Sequence, residues 1–301
     1  MPRFRKARVF YNRRSGPGAS RFRRVADAFS AAWAAAADDL AWYFPSSREE
    51  SMRQLDAALA DGADCIAVCG GDGTVSSIGA RLIGTGVPLA VVPMGSGNGL
   101  ARHFGIPQDP AAAVEALASA PVRDMDAGFA SGRPFLVSAS VAWDAELVRA
   151  YDKLPMRGVG SYVIAGAVSI LDWKPQPVTA TVDGAERLEF PDPLIFTVGN
   201  VSGWGGGALI DPAADASDGR MELVAGNRRD APRMLASLAD VFSKGACALP
   251  GATSRKFSSL VVERPEPGPV QLDGELFDAP AKVEFTVRRG ALRILVPAPA
   301  A

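Results

Sequence analysis

The stretch Cys65-Ile-Ala-Val-Cys-Gly-Gly-Asp-Gly-Thr74 constrains the fold more than any other part of this chain. An apolar, β-branched run of strand length passes into three glycines, an acid and a hydroxyl, and a helical pattern begins at once. Runs apolar at every position suit strands buried on both faces, as in parallel sheets. The run Leu89-Ala-Val-Val92 is of the same kind. It ends in Pro93-Met-Gly95-Ser96-Gly97-Asn98-Gly99, again followed by helical spacing. With strand patterns at 7–12 and 40–45 and helical patterns at 19–38, 48–61 and 110–118, strand and helix alternate through the first 120 residues. Such alternation implies a parallel sheet with right-handed crossovers. A doubly wound α/β domain is therefore predicted over residues 1–122.

The rhythm changes after Pro121. Short strands with turn punctuation are predicted at 178–182, 194–201, 221–225, 257–263, 270–272 and 282–288, with helical stretches at 144–172 and 231–244. This reads as a mostly antiparallel β-sandwich domain over 123–290. A last strand, 291–297, is predicted to return to the first domain. With 301 residues, 48% of them hydrophobic, the chain has enough apolar side chains for two cores.

Composition excludes several chemistries. The lone His103 rules out a His-cluster metal site and leaves one candidate base for a Ser-His-Asp or Cys-His triad. Three cysteines, Cys65, Cys69 and Cys247, cannot frame a disulfide scaffold, and two of them share a predicted strand, which suits a reduced cytoplasmic interior. The longest apolar run, 28–37, is about half of what a spanning helix needs, and the N-terminus lacks the apolar core of a signal peptide. A cytoplasmic protein is expected. A formal net charge of -1 and no reader motif argue against a nucleic-acid partner. Nine Arg and Lys nevertheless lie between Arg3 and Arg24, with no acid before Asp27. They form either a solvated helix face or a positive surface for anionic lipid headgroups or nucleotide phosphates.

Glycines at a strand end let backbone N–H groups approach a phosphate without Cβ clashes, and the following helix N-terminus adds favourable potential. In the first loop, Gly70 to Thr74, Asp72 is placed to hold Mg2+ or its waters, and Thr74 to cap the helix and donate to phosphate. The plainer alternative is a Gly-rich turn with Asp or Thr as N-cap. The second loop, Gly95 to Gly99, falls on the same carboxyl edge, where α/β sheets bind ligands. Asn12-Arg13-Arg14-Ser15-Gly16 ends the first strand there too. Neither glycine loop completes a dinucleotide fingerprint and no Walker A motif occurs, yet three loops on one rim point to a nucleotide site.

The paired motifs Gly70-Gly71-Asp72-Gly73-Thr74 and Gly95-Ser96-Gly97-Asn98 resemble the catalytic domain of the diacylglycerol kinase and sphingosine kinase superfamily, closest in style to its bacterial lipid kinases. The resemblance runs over nearly the whole chain. Asn12 to Gly16 is similar to the family's Asn-Pro-x-Ser-Gly loop, with Arg13 in place of proline. Gly199 to Gly207 followed by Asp211 to Gly219 resembles its C-terminal signature, and Asp273-Gly274-Glu275 its Asp-Gly-Glu. The resemblance implies Mg2+-dependent transfer of the γ-phosphoryl group of ATP to a lipid hydroxyl, in a cleft between the domains. It implies ATP contacts from Asn12, Arg13, Arg14, Ser15, Gly16, Ser46, Gly70, Gly71, Asp72, Gly73, Thr74, Val75, Ser76, Ser77, Gly95, Ser96, Gly97 and Asn98. Asp273 and Glu275 would be the acid–base pair, with Glu275 the proton acceptor, and Asp72 would work with Mg2+ and the phosphates. Asp218 would hold a structural Mg2+ beside the backbone carbonyls of Asp215 and Arg220.

For Asp273-Gly274 a plain hairpin turn is the other reading, and a tight turn presenting two acids satisfies both. Departures are Gly99 where the family often has Asp, and Val141-Ala142-Trp143-Asp144, which is similar to the Ala-Trp-Gly segment of sphingosine kinases. Asp144 and Glu146 thus read either as lipid-headgroup contacts or as acids favoured at a helix N-terminus. Trp143, Leu147, Tyr151, Tyr162, Ile170 and Trp173 read either as core or as an acyl pocket. Peripheral docking on a membrane is expected, through the basic N-terminal stretch, and a homodimer is compatible with the sequence. The rival readings are an NAD kinase-like enzyme, which normally carries an Asn-Glu pair absent here, and a non-catalytic nucleotide- or lipid-binding regulator.

Overall fold

The computed structural model describes residues 4–15, 19–143 and 175–298. They form two compact units, Met1–Met125 with Gly290–Ala301, and Asp126–Arg289.

In the first unit, strands β1 (Phe4–Tyr11), β2 (Ala37–Tyr43), β3 (Cys65–Gly70) and β4 (Leu89–Pro93) pair in parallel in the order β2-β1-β3-β4. Every residue of β3 and β4 is buried, as their unbroken apolar runs require. Helices α1 (Ala19–Ala32), α2 (Arg48–Ala60), α3 (Asp72–Leu82), α4 (Gly99–His103) and α5 (Pro110–Ala118) fill the crossovers. Asp109 caps α5 by accepting from Ala111 N and Ala112 N at 3.1 Å, and Pro110 opens the helix, where its missing N–H costs nothing. Helix α1 stops six residues short of the predicted end. The backbone of Ala36 is captured by Phe4 N at 2.8 Å, so the alanine run turns and enters β2 instead of extending the helix.

The second unit is a β-sandwich. Its strands are β5 (Val122–Ala130, which begins in the first unit), β6 (Arg133–Phe135), β7 (Ser138–Ser140), β8 (Val178–Val182), β9 (Glu186–Phe190), β10 (Pro193–Gly199), β11 (Gly203–Gly205), β12 (Ala208–Leu209), β13 (Met221–Asn227), β14 (Thr253–Phe257), β15 (Ser259–Glu263), β16 (Gly268–Leu272), β17 (Glu275–Ala279) and the start of β18 (Lys282–Leu295). One antiparallel sheet runs β14-β13-β10-β7-β16-β17, and the other joins β18, β15, β8 and β9. Phe196, Leu223, Phe257, Leu260, Val283 and Phe285, all buried, fill the space between them.

Two expectations fail here. The single strand predicted at 257–263 is two strands in different sheets, because Asp183 Oδ1 accepts from Ser258 N at 2.9 Å and Ser259 N at 2.8 Å and turns the chain between them. The helix predicted at 231–244 is a short α6 (Ala231–Ala236) followed by a 3-10 turn at Leu238–Phe242, tightened by Ser237 N to Met234 O at 3.1 Å and Asp240 N to Ser237 O at 2.9 Å. The segments predicted at 282–288 and 291–297 are one strand, β18. Its residues 282–286 pair antiparallel with β15, and Ile294 pairs parallel with Leu89 of β4.

Candidate active site

In the first unit the three glycine-bearing loops are physically joined. Asn12 follows β1, and its Nδ2 donates to Thr74 Oγ1 at 2.7 Å while its Oδ1 accepts from Arg14 N at 2.9 Å. Ser15 Oγ accepts from Gly71 N at 3.2 Å. Gly71 is backbone-packed on Gly95: a Cβ built on Gly95 would lie 2.8 Å from Gly71 Cα and 3.1 Å from Asn98 Oδ1. Gly70 is equally constrained, since its Cβ would meet Thr74 Cβ at 2.9 Å. Only glycine permits this approach, which is the packing reason behind the motif. Replacing Gly95 by Ala is therefore expected to spread the two loops and cost about 1–3 kcal/mol of folding stability, as overpacking does. Urea denaturation would check it, and an unchanged midpoint would contradict the loop-to-loop account.

Asp72 latches the two loops. Its Oδ2 accepts from Asn98 N and its Oδ1 from Gly99 N, both at 2.8 Å. Asn98 itself is buried in a left-handed conformation (φ 54°), and its side chain clasps Gly95, donating to Gly95 O and accepting from Gly95 N at 3.0 Å. Gln108 Oε1, which sequence reasoning passed over, accepts from Asn98 Nδ2 at 3.2 Å. Helix α3 begins at Asp72 with no side chain capping it, and Thr74 N and Val75 N donate to Gly71 O at 3.0 and 3.1 Å. Among the predicted contacts, Gly73 and Ser96 are exposed, Ser77 is half-buried, and Val75 and Ser76 are buried in α3. Ser46 sits at the N-terminus of α2, its hydroxyl donating to Glu50 Oε2 at 2.5 Å beside the N-cap Ser47, and thus helps cap that helix. Gly16 lies outside the described residues.

In the second unit Asp273 and Gly274 form the two-residue turn between β16 and β17, both with positive φ (49° and 88°), as a type I′ hairpin requires. The Asp273 carboxylate accepts three backbone N–H groups: Leu136 at 2.8 Å, Val137 at 2.8 Å and Ser138 at 3.1 Å. Asn200, 0% exposed and within the quoted signature, grips the same segment, donating to Leu136 O at 2.8 Å and Asp126 O at 2.9 Å. Two separate motifs thus converge on residues 136–138. Glu275 follows as the exposed first residue of β17.

Asp218, in the acidic turn after β12, and Glu222, in β13, both face Lys256. Its Nζ pairs with Asp218 Oδ2 and lies 3.4 Å from Glu222 Oε1, within ion-pair range but without a hydrogen bond. Asp218 Oδ1 accepts from Arg220 N at 2.9 Å, and Asp215 Oδ1 from Ser217 N at 3.0 Å. Burial pushes the Glu222 carboxyl up to about 7 against the attraction of Lys256. No group of three acidic, Cys or His side chains forms a cage among the described residues. Magnesium, however, commonly takes one or two carboxylates and completes its shell with carbonyls and water. The orphaned, buried oxygens of Glu222 beside Asp218 fit such a hard cation. Because the folded-state value for Glu222 lies above its ordinary 4.5, its contribution to stability is full below pH 4.5 and lost as pH rises through about 7. In chelator, wild type should lose on the order of 3 kcal/mol relative to Glu222→Gln across that window. Parallel stability profiles would refute the assignment.

Part of the basic N-terminal stretch is paired with acids of the same unit. Arg8, 4% exposed, pairs with Asp39 at 2.8 Å; Lys6 pairs with Asp61 at 3.0 Å, Arg5 with Asp64 at 3.7 Å and Arg24 with Asp109 at 3.1 Å. Arg13, stacked over Phe44, and Arg14 and Arg23 remain exposed. Cys65 and Cys69 are buried and reduced, and burial pushes both thiols up. Trp143 packs beside the small cluster of Leu194, Ile210 and Met234. Asp144, Glu146, Leu147, Tyr151, Tyr162, Ile170 and Trp173 lie outside the described residues. No helix among the described residues is long and apolar enough to cross a membrane.

A parallel α/β unit with latched glycine loops, followed by a β-sandwich with an Asp-Gly-Glu hairpin, defines a kinase-type architecture. Residues 6–130 match the diacylglycerol kinase catalytic domain, and residues 137–296 match the YegS C-terminal NAD kinase beta sandwich-like domain. A diacylglycerol kinase of Mycobacterium tuberculosis is 29% identical over 255 residues, 82% of each chain. A probable lipid kinase YegS-like of Pseudomonas aeruginosa is 30% identical, over 83% of this chain and 82% of its own. A solved structure described as a putative diacylglycerol kinase from Bacillus anthracis shares the fold, with a TM-score of 0.79 at 22% identity over 99% of both chains. The chain belongs to the diacylglycerol kinase-like family of lipid kinases.

Proposed function

We propose that this chain transfers the γ-phosphoryl group of ATP to the hydroxyl of a diacylglycerol-like or sphingoid-like lipid, in the cytoplasm and at a membrane surface. The observation that carries this reading is the Asp72 latch, which holds two glycine loops backbone to backbone at the carboxyl ends of β3 and β4. Phosphoryl transfer needs mainly positioning and charge neutralisation. The N–H groups of Asp72 and Gly73, the hydroxyl of Thr74 and the loop glycines are assigned to the phosphates. Mg2+, when bound with the nucleotide, neutralises charge on the phosphates. Asp72 would hold that Mg2+ or its waters, and it acts first as a positioning residue through its bonds to Asn98 N and Gly99 N. Glu275 is assigned as acceptor of the lipid hydroxyl proton, and Asp273 sets the hairpin that presents it.

A second Mg2+ is assigned to Asp218 with the carbonyls of Asp215 and Arg220, and Glu222 is added to that set. It has a structural role: Mg2+ should raise the melting temperature of the wild type and not of Asp218→Asn. Equal shifts would remove the site. The activity is tested with labelled ATP and Mg2+ offered separately to diacylglycerol, sphingosine, ceramide, phosphatidylglycerol and NAD. Label is expected in one lipid. Label in NAD alone would replace the lipid reading by an NAD kinase, and no label anywhere would leave a nucleotide-binding regulator.

A further inference from the structure

Three large apolar side chains among the described residues are strongly exposed, and all lie within eight residues: Leu235 (60%), Leu238 (48%) and Phe242 (53%). They follow one another along α6 and the 3-10 turn after it as a short exposed apolar stripe in the sequence. Met234 and Val241, 4% and 6% exposed, anchor the same segment in the cluster with Leu194, Ile210 and Leu249. The segment is thus fixed from within, and its outer stripe is held in water. Arg229, Arg233 and Lys244 flank it, all exposed, against two acids, Asp230 and Asp240, the latter paired with Lys244 at 3.3 Å. Asp230 is mostly covered and pairs loosely with Arg229 at 3.7 Å and Arg233 at 3.8 Å, so both guanidinium groups keep donors for other anions.

We infer that residues 228–244 are the membrane-docking face of this protein, with Leu235, Leu238 and Phe242 entering the acyl boundary of a bilayer and the flanking cations meeting anionic phospholipid headgroups. An apolar stripe with a cationic rim is the composition that binds in a bilayer interface, and two weak signals together give stable attachment. The inference deepens the lipid-kinase reading, which supplies the reason to meet a bilayer.

The test uses the whole chain without nucleotide, sedimented with vesicles of phosphatidylcholine alone or containing phosphatidylglycerol. Wild type should bind the anionic vesicles, and L235S/F242S should bind at least about tenfold less. R229Q/R233Q should lose binding several-fold at low salt and little at high salt. Both variants should keep the wild-type rate on a short-chain, detergent-dispersed acceptor. Failure of wild type to bind anionic vesicles, or wild-type binding by L235S/F242S, would overturn the assignment. So would a wild-type dimer that L235S/F242S turns into a monomer, since the stripe would then face a second copy. Vesicle binding through this face by a protein that phosphorylates no lipid would uphold the docking surface and refute the kinase reading.

Discussion

Glu275→Gln is expected to lower kcat by about 10²–10⁴-fold while leaving the dissociation constant for ATP unchanged, the range spanned by losing one positioned proton acceptor. Gln keeps the shape and hydrogen-bonding reach of the side chain and removes only its basicity. Glu275 opens β17, pairs across the turn with Leu272, and is exposed, so the exchange should not disturb the sandwich. Asp273 cannot substitute for it, because its oxygens already hold three backbone N–H groups. ATP contacts are assigned to the first unit, which Glu275 does not belong to. Pre-steady-state label transfer and nucleotide titration separate the two quantities. A turnover within threefold of wild type would remove Glu275 from the chemistry, and a parallel loss of ATP affinity would make it a binding residue instead.

Much of the architecture was legible from pattern. β3 and β4 are apolar at every position, so burial on both faces follows from composition alone, and the glycine loops mark the edge where those strands end. Motifs, however, name residues and not their partners. Asp72 reads as a magnesium ligand, yet its two oxygens are spent first on the N–H groups of Asn98 and Gly99, a bond that spans 26 residues and leaves no local trace. Tertiary bonds also decided the two misread elements. The Asp183 carboxylate breaks an otherwise continuous strand pattern at Ser258, and the helical pattern of 231–244 tightens after Ser237. Glu222 could not be singled out from sequence, since one acid in an apolar strand looks like any alternating exposed residue until both faces prove covered.

Asp273→Ala is expected to cost about 2–4 kcal/mol of folding stability, because each buried donor left without an acceptor costs about 1–3 kcal/mol and partial relaxation recovers some of it. The donors belong to Leu136, Val137 and Ser138, which are 0%, 6% and 2% exposed, and water entering beside the half-buried turn replaces the carboxylate only in part. Asp273→Asn should fall between the two, keeping one acceptor while its amide confronts a donor. Asn200→Ala loosens the same tripeptide by freeing the carbonyls of Leu136 and Asp126. The double variant Asp273→Ala/Asn200→Ala should therefore lose less than the sum of the single losses, since residues gripping one segment couple. Urea denaturation of all four proteins measures the cycle. Strict additivity would mean that the two motifs act separately. A stability loss in Asp273→Ala below about 1 kcal/mol, with turnover abolished, would return Asp273 from positioning to the chemistry itself.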